Sequence, residues 1–398
     1  VGIGDDGLAG LSPAARALVD EAEVLVGGAR HLAMLADDRR EHLQWPCPFD
    51  PLVPELEQRR GRRVCVLATG DPSFFGVAPL LGRHFEADEM RVVPAPSAFS
   101  LACARLGWSA LDVDTVSLHG RPLETLHPFV QPGARVLILS RDGDTPARVA
   151  SLLRERGYAG SRLTVFEHMG SGKEKRITHT AASWPAQRPA DLNTIALQCV
   201  AGEEAVTLPC AAGLPDDAYE HDGQLTKREV RALTLASLAP GPGQTLWDIG
   251  AGCGSVAIEW LRVARRARAI AVEKTASRCE LIRRNANALG VPSVEVIEAV
   301  APAPLAGLAT PDAVFVGGGI VAPGVMDGCW SALPAGGRLV ANAVSVEAER
   351  VLADWQQKVD GTLVRLSVSR LSPVGRFHAW RPMMPVTHFA ATKHGAAS

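Results

Sequence analysis

The run Leu246-Trp247-Asp248-Ile249-Gly250-Ala251-Gly252-Cys253-Gly254-Ser255-Val256-Ala257-Ile258-Glu259 restricts this chain more than any other segment. Leu246, Trp247 and Ile249 make a short apolar strand. Three glycines at alternate positions then let the backbone turn sharply and pass close to a ligand that a Cβ would block. Val256, Ala257, Ile258, Trp260 and Leu261 open a helix whose N-terminal amides face that ligand, so the run reads as a nucleotide-cofactor loop at the edge of an α/β sheet.

The next strand narrows the ligand. Ala269 to Val272 is apolar and ends in Glu273, about twenty residues past the turn, where an acid can accept both ribose hydroxyls. In a dinucleotide fingerprint the third glycine comes after two spacers, a position held here by Ser255, whereas the pattern present is Gly-x-Gly-x-Gly. That favours S-adenosylmethionine over a nicotinamide cofactor. Asp248 is expected to orient the loop and reach the cofactor's amino group, and Cys253 to be there because it is small. An α/β turn with incidental glycines and a nicotinamide-dependent oxidoreductase are the competing readings.

At 398 residues the chain exceeds one ordinary core, and two folding units are expected. The net charge of −2 lacks the basic excess that phosphate-backbone binding requires, which argues against a nucleic-acid partner. Cys47, Cys65, Cys103, Cys199, Cys210, Cys253, Cys279 and Cys329 form no Cys-x-x-Cys pair and have no His-x-x-x-His companion. They read as small apolar fillers in a reducing cytosol, with no metal. No segment approaches the roughly eighteen uninterrupted apolar residues that span a bilayer, and the N-terminus lacks a signal peptide's regions. A soluble, cytoplasmic protein is therefore expected, with a small polar tail, Thr392 to Ser398, that frays.

From Leu225 onward the elements alternate in βα fashion, which predicts a doubly wound sheet. Helices are expected over Lys227 to Leu238, from Ser255, over Thr275 to Leu289, Val321 to Leu333 and Val346 to Val359. Beyond the strands at Thr245 and Ala269, others are expected at Ser293 to Glu298, Asp312 to Val316 and Arg338 to Asn342, with Thr362 to Ser369 and Phe377 to Pro382 closing a sheet of about seven strands as a hairpin. The first half is α/β as well, with strands at Val24 to Val26, Val64 to Ala68, Arg91 to Val93, Val136 to Leu139, Leu163 to Phe166 and Thr194 to Leu197. Prolines, glycines and an acidic cluster in Thr207 to Gln224 mark a boundary near Gly213. The domains are accordingly 1–206, a linker and lead-in segment 207–224, and 225–391.

Three segments of the first half stand out: Val1-Gly2-Ile3-Gly4 with Leu11-Ser12, Thr69-Gly70-Asp71-Pro72-Ser73-Phe74-Phe75-Gly76, and Val93-Pro94-Ala95-Pro96-Ser97-Ala98. Each is a strand end leading into a helix start. Gly70-Asp71-Pro72 also has the order of a helix cap and first helical residue. Three such loops at one sheet edge form a cleft lined by backbone amides and carbonyls.

In this order the three segments, with Ala102 and Leu106-Gly107, resemble the signatures of the tetrapyrrole methylases. The second half resembles the class I methyltransferase of cobalamin biosynthesis, and Asp222-Gly223-Gln224-Leu225-Thr226-Lys227-Arg228-Glu229-Val230-Arg231 resembles its opening helix. Their fusion is similar, nearly end to end, to the decarboxylating precorrin-6B C5,C15-methyltransferases of the aerobic vitamin B12 route. The resemblance implies a tetrapyrrole methylase fold of two α/β subdomains, methylating C5, and a C-terminal Rossmann-like class I domain, methylating C15 and removing carbon dioxide from the C12 acetate to give precorrin-8. It also implies one S-adenosylmethionine site per domain and a homo-oligomer. Cofactor binding then falls on Thr226, Gly250, Ala251, Gly252, Cys253, Gly254, Glu273 and Ala301, and in the first half on Gly70, Asp71, Pro72, Ser97 and Met169. The chain opens at Val1, inside the first strand that the resemblance implies. Where the family has Glu-Gly-x-Ala-Pro, this chain has Glu298-Ala299-Val300-Ala301-Pro302, keeping only the Ala-Pro of the adenine side.

Methyl transfer from a sulfonium is an in-line displacement from an activated donor, so the protein chiefly aligns the reactants and excludes water. No nucleophilic side chain is required, and a conjugated imine of the macrocycle can take the electrons released by decarboxylation. Many substrate carboxylates call for arginine forks, for which Arg228 and Arg231 are the candidates, with Gly317, Gly318 and Gly319 at a strand end. Arg262, Arg265, Arg266 and Arg268 read as a solvated helix end, and His168 as structural. A small-molecule methyltransferase whose first half only binds remains the rival reading.

Overall fold

The computed structural model describes residues 1–35, 38–46 and 52–395; Cys47 and the last three residues of the tail lie outside them. It divides into two compact units, one of Val1–Leu123 with Phe129–Val206 and one of Glu124–Pro128 with Thr207–Ser398.

The first unit runs β1 (Gly2–Ile3), α1 (Pro13–Glu21), β2 (Val24–Gly27), α2 (Ala29–Ala33), β3 (Glu41–Gln44), α3 (Val53–Glu57), β4 (Val64–Val66), β5 (Ala68–Thr69), α4 (Ala78–Leu81) and α5 (Ala98–Leu106). It continues with β6 (Asp114–Ser117), β7 (Arg135–Leu139), α6 (Thr145–Glu155), β8 (Arg162–Glu167), β9 (Lys175–Thr180) and β10 (Asn193–Gln198). Parallel strands β3-β2-β4 form one sheet, and β5, one residue past β4, pairs in parallel with β1. Side chains alternate across it: Leu25 packs with Ile3, Val19 and Leu67 on one face, Val24 and Val26 with Leu52, Leu56 and Leu81 on the other. The second sheet, β6-β7-β10-β8-β9, is antiparallel except for the β6–β7 pair and carries α5 through Phe99, Ala102 and Cys103 on Leu137, Phe166 and Ala196.

Three strands here go beyond the sequence expectation and one expected strand is absent. Arg91–Val93 is coil, because Pro94 and Pro96 leave no donors to continue a ladder and only Val93 O is used, by Gly2 N at 2.8 Å. Strands β3, β6 and β9 lack apolar alternation; β9, Lys175–Thr180, is an exposed edge strand whose polar sequence hides it.

The second unit contains α7 (Arg228–Leu238), β11 (Thr245–Ile249), α8 (Ser255–Val263), β12 (Arg268–Glu273), α9 (Ala276–Ala288), β13 (Glu295–Glu298), β14 (Ala313–Val316) and α10 (Val325–Ala332). β15 (Arg338–Ala343), α11 (Val346–Val359), β16 (Thr362–Leu366), β17 (Ser369–Val374), β18 (Phe377–Pro382) and β19 (Val386–Thr392) complete it. The seven-stranded sheet has the order β13-β12-β11-β14-β15-β19-β16, parallel except for β19. Strand order reverses direction between β11 and β14, which opens a crevice at their carboxyl ends. Trp247, Ile249, Ile270 and Val316 build the core on one face, and Leu246, Ala271, Ala313 and Phe315 on the other.

The doubly wound order is as expected, but its closing hairpin is not. Thr362–Leu366 pairs with Val386–Thr392, a strand not expected, while Phe377–Pro382 pairs with Ser369–Val374 in a separate exposed ribbon. The helix expected from Val321 starts only at Val325, after Gly324 in the left-handed region at φ 80°. Segment 207–224 is no free linker: Leu214 and Tyr219 are buried with Cys253 and Ile258. Nor does the tail fray at its start, since Lys393 Nζ donates to the carbonyls of Trp330 and Leu333 at the end of α10. Among the described residues no helix is long and apolar enough to cross a membrane, and no group of three or more His, Cys, Asp or Glu side chains could hold a metal.

Candidate functional site

All three glycines after β11 have left-handed backbones, with φ of 69° at Gly250, 60° at Gly252 and 81° at Gly254. A Cβ on Gly250 would come within 2.8 Å of the Gly318 backbone, and one on Gly254 within 2.8 Å of Ile282. Conformation and space therefore both demand glycine. Gly250 N and Ala251 N donate to Val272 O at 2.9 and 3.2 Å, and Gly317 N donates to Ile249 O at 2.9 Å. These bonds stitch the loop to the ends of β12 and β14, at the switch point of the sheet.

Glu273, at the end of β12, is tied to the same loop. Its Oε2 accepts from Gly252 N and its Oε1 from Thr275 N, both at 3.0 Å. Each oxygen keeps a further lone pair, so the acid can still accept from a pair of hydroxyls. Asp248 sits one strand over and is 1% exposed. Its Oδ2 accepts from Ala257 N at 3.0 Å, capping α8 from the strand because Gly254, at the cap position, has no side chain to do so. Its Oδ1 is buried with no hydrogen-bond partner among the described residues. Burial, reinforced by the Glu273 charge, pushes the Asp248 carboxyl up to about 7. A buried orphan carboxylate oxygen beside a loop of three left-handed glycines, with Glu273 still able to accept, fits a ligand with a cationic donor and a ribose, the donor set of S-adenosylmethionine.

The other expected residues fall around this loop in different roles. Gly317 and Gly318 border it at Gly250, Gly319 follows them in the chain, and a Cβ on Gly317 would meet the Phe315 ring at 2.9 Å. Ala301 lies past β13, half-buried against the core, in a cis bond to Pro302, and Ala299 N donates to Glu273 O at 3.0 Å. Thr226 gives its carbonyl to the Arg231 guanidinium. Cys253 is buried with its thiol pushed up to about 11, so it is small and inert. Arg228 is exposed at the start of α7.

Two readings of arginines are corrected. Arg231 is fully buried and bonded to Glu259, Asp216 and two backbone carbonyls, so it holds the fold and does not meet substrate. Arg262 is not a solvated helix end: it is 5% exposed and donates to the carbonyls of Leu289, Leu208 and Pro209, whereas Arg265, Arg266 and Arg268 are exposed as expected. The partner of Arg231, Glu259, ends the glycine-loop run without filling any of its ligand-binding positions, and a carboxylate amid the apolar stretch Val256 to Leu261 is the one signal that marks it.

In the first unit the three loops do meet. Gly70 N donates to Ile3 O at 3.0 Å and Ala95 N to Gly70 O at 3.1 Å. A Cβ on Gly2 would overlap Gly70 O, and one on Gly70, at φ 63°, would press on Pro96 O at 3.2 Å. Asp71 and Pro72 do not cap a helix; α4 starts only at Ala78, and Asp71 Oδ1 accepts from Ser73 N at 2.8 Å in a local turn. That turn presents Phe74 and Phe75, each 42% exposed, edge-on to Phe99. Ser97 caps α5 by accepting from Ser100 N at 3.0 Å, and Met169 packs against the α5 cluster. His168 is not isolated: its Nδ1 lies 2.9 Å from Asp5 Oδ2.

Comparison with known proteins places both units. A family described as tetrapyrrole (corrin/porphyrin) methylases matches residues 1–184, and one described as precorrin methyltransferase domain matches residues 217–393. The precorrin-6Y C(5,15)-methyltransferase (decarboxylating) of a Sinorhizobium species is 48% identical over 394 residues, covering 99% of this chain and 95% of that protein. Its namesake in Mycobacterium tuberculosis strain H37Rv is 42% identical over 398 residues, covering 99% of each. The cobalt-precorrin-7 C(5)-methyltransferase of Salmonella typhimurium is 36% identical over 175 residues, which cover 44% of this chain and 86% of that protein.

Proposed function

The chain belongs to the family of decarboxylating precorrin-6Y C5,15-methyltransferases, and from that premise we propose that it methylates precorrin-6B at C5 in its first unit and at C15 in its second. The second unit also releases the C12 acetate carboxyl as carbon dioxide, and the product is precorrin-8. Each unit holds one S-adenosylmethionine, whose sulfonium supplies the activated methyl group. A relative named for C(5)-methylation alone, matching less than half of this chain, supports the division of labour. A metal-free substrate, the aerobic route, cytoplasmic location and homo-oligomeric assembly belong to the same reading.

The observation that carries the cofactor assignment is the left-handed triple of Gly250, Gly252 and Gly254 beside the orphan oxygen of Asp248. In the second unit the loop admits the donor against bare backbone, Glu273 takes the ribose hydroxyls, Asp248 takes the amino group, and Ala301 borders the adenine. Gly317 to Gly319 leave the rim free of side chains where a bulky macrocycle must approach. In the first unit the amides and carbonyls around Gly70 and Ser97 hold the donor, and Phe74 and Phe75 offer apolar faces to a flat ring. No side-chain nucleophile is needed, and what the residues contribute is alignment and exclusion of water.

Mass spectrometry of the product formed from precorrin-6B and S-adenosylmethionine tests this. Gain of two methyl groups with loss of one carbon dioxide is the expected result. One methyl with decarboxylation would confine catalysis to the second unit, and an unchanged substrate with cofactor bound would overturn the substrate assignment.

A further inference from the structure

We propose that His168 is the proton acceptor for the methylation carried out in the first unit, with Asp5 and Arg30 as its positioning residues. The inference rests on the assignment of C5 methylation to that unit.

His168 comes directly after β8, with φ 49°, a left-handed conformation that histidine tolerates better than most non-glycine residues. Its backbone is pinned on both sides, by His168 N to Leu192 O at 3.1 Å and by the Ser171 hydroxyl to His168 O at 2.9 Å. Nδ1 is 2.9 Å from Asp5 Oδ2, and Arg30 holds the other oxygen, Oδ1, at 2.9 Å. The second guanidinium nitrogen of Arg30 reaches Thr69 Oγ1 at 2.7 Å, one residue before Gly70. Donation of the Nδ1 proton to Asp5 selects the tautomer with a lone pair on Nε2. Nε2 has no partner among the described residues, and the side chain is 30% exposed.

A surface ion pair would need none of this. Asp5 stands one residue past Gly4, Thr69 precedes Gly70, and Met169, next to His168, packs against α5, whose cap is Ser97. The imidazole is thereby held by Asp5 beside Gly4 and, through Arg30, by Thr69 beside Gly70, while its chain neighbour packs on the helix that follows the third loop. The remaining charged neighbours are engaged elsewhere. Burial and the Arg30 charge hold His31 down at about 4, so it is neutral, and its Nε2 lies 3.0 Å from Thr69 Oγ1. Glu174 pairs with Arg105 of α5 at 2.8 Å and accepts from Gly170 N at 2.8 Å.

The reaction needs such a group. When a ring carbon bearing hydrogen attacks the methyl, a C–C bond forms, the C–S bond breaks, and its electron pair leaves with sulfur as a neutral thioether. The ring then carries a positive charge on its conjugated nitrogen system. Return of the methylated carbon to conjugation breaks its C–H bond: the electron pair goes back into the ring and the proton to His168 Nε2. The resulting imidazolium is stabilised by Asp5 and returns its proton to water, so charge and atoms balance.

The test uses the full chain with precorrin-6B and monitors each methylation separately by mass spectrometry and NMR. In His168→Asn the side-chain amide can still reach Asp5 and asparagine tolerates the left-handed backbone, so the fold is kept and only the proton acceptor is lost. The expected result is C5 methylation slowed about 100-fold or more. Cofactor affinity, C15 methylation and decarboxylation should stay within twofold of the parent, and added imidazole should restore part of the C5 rate in His168→Ala. Asp5→Asn should slow C5 methylation without lowering cofactor affinity and abolish the Nδ1-protonated tautomer in the His168 nitrogen resonances, a readout that needs no turnover. A parental C5 rate in His168→Asn overturns the inference while leaving the assignment of the unit intact. So does a loss that tracks cofactor affinity and resists imidazole. Absence of any C5 methyl from the unaltered chain overturns the assignment and the inference together.

Discussion

Arg231 donates from Nε to Glu259 at 2.6 Å with neither side chain more than 1% exposed. Glu259 in turn accepts from Gly213 N at 2.6 Å, Leu214 N at 3.0 Å and the Tyr219 hydroxyl at 3.0 Å. The guanidinium stands 4.8 Å from the Tyr219 ring centre and also pairs with Asp216 at 3.3 Å. Two ions that would be costly alone are thus fully bonded, and segment 213–219 is clamped to α7 and α8. Because Gly254 is the cap of α8, the clamp also fixes the base of the cofactor loop.

Removal of one partner should therefore act on stability. Arg231→Ala should lower the unfolding free energy of the second unit by about 3–5 kcal/mol, since it strands a buried carboxylate. The double change Arg231→Met with Glu259→Leu should lose much less. Urea denaturation of the full chain measures both. A stably folded Arg231→Ala protein with a raised KM for the precorrin would show instead that this arginine meets substrate.

Gly250→Ala and Gly254→Ala should abolish cofactor binding in the second unit. Each places a Cβ 2.8 Å from a neighbour and forces a left-handed alanine, itself costing roughly 1–2 kcal/mol. Gly252→Ala, 3.2 Å from Gln224 O, should be milder. On the proposed assignment of one site per unit, calorimetric titration of S-adenosylmethionine should show the stoichiometry falling from two sites per chain to one. Retention of both sites in Gly250→Ala would contradict the geometry.

Asp248 makes stability depend on pH and, on its proposed role, cofactor affinity as well. Its carboxyl is raised by burial from 3.8 to about 7, so between those values the native protein binds a proton that the unfolded chain does not. Stability from this group is therefore greatest at low pH and falls as pH rises through about 7, by ~4 kcal/mol at most. Asp248→Asn should remove that component, so that the free variant gains stability over the parent at pH 8 and none at pH 4. On the proposed role of Asp248, cofactor affinity should drop about tenfold or more at pH 8, where the parent carboxylate would face the ammonium group. An unchanged affinity would place the amino group elsewhere.

The cofactor loop is legible in the sequence because every constraint on it is local. A strand, three glycines and a helix start fall within 14 consecutive residues, and Glu273 ends the next strand. The first unit is legible for a similar reason, since Gly2, Gly70 and Pro96 each mark a loop by composition alone. Strands β9 and β19 are not, because an edge strand and a strand with a buried His388 break the apolar alternation that reveals strands.

Partnership across the chain is beyond local pattern. Arg231 and Glu259 are 28 positions apart, and Asp5 and His168 are 163 apart. A single arginine looks alike whether it faces solvent, a substrate carboxylate or a buried glutamate. Sequence by itself determined where the backbone must bend and which segments must be buried, because backbone sterics and apolar periodicity act within a few residues. Only the tertiary structure decided which charged side chains hold the fold and which are left open for chemistry, because that depends on desolvation and on partners brought together by the whole chain.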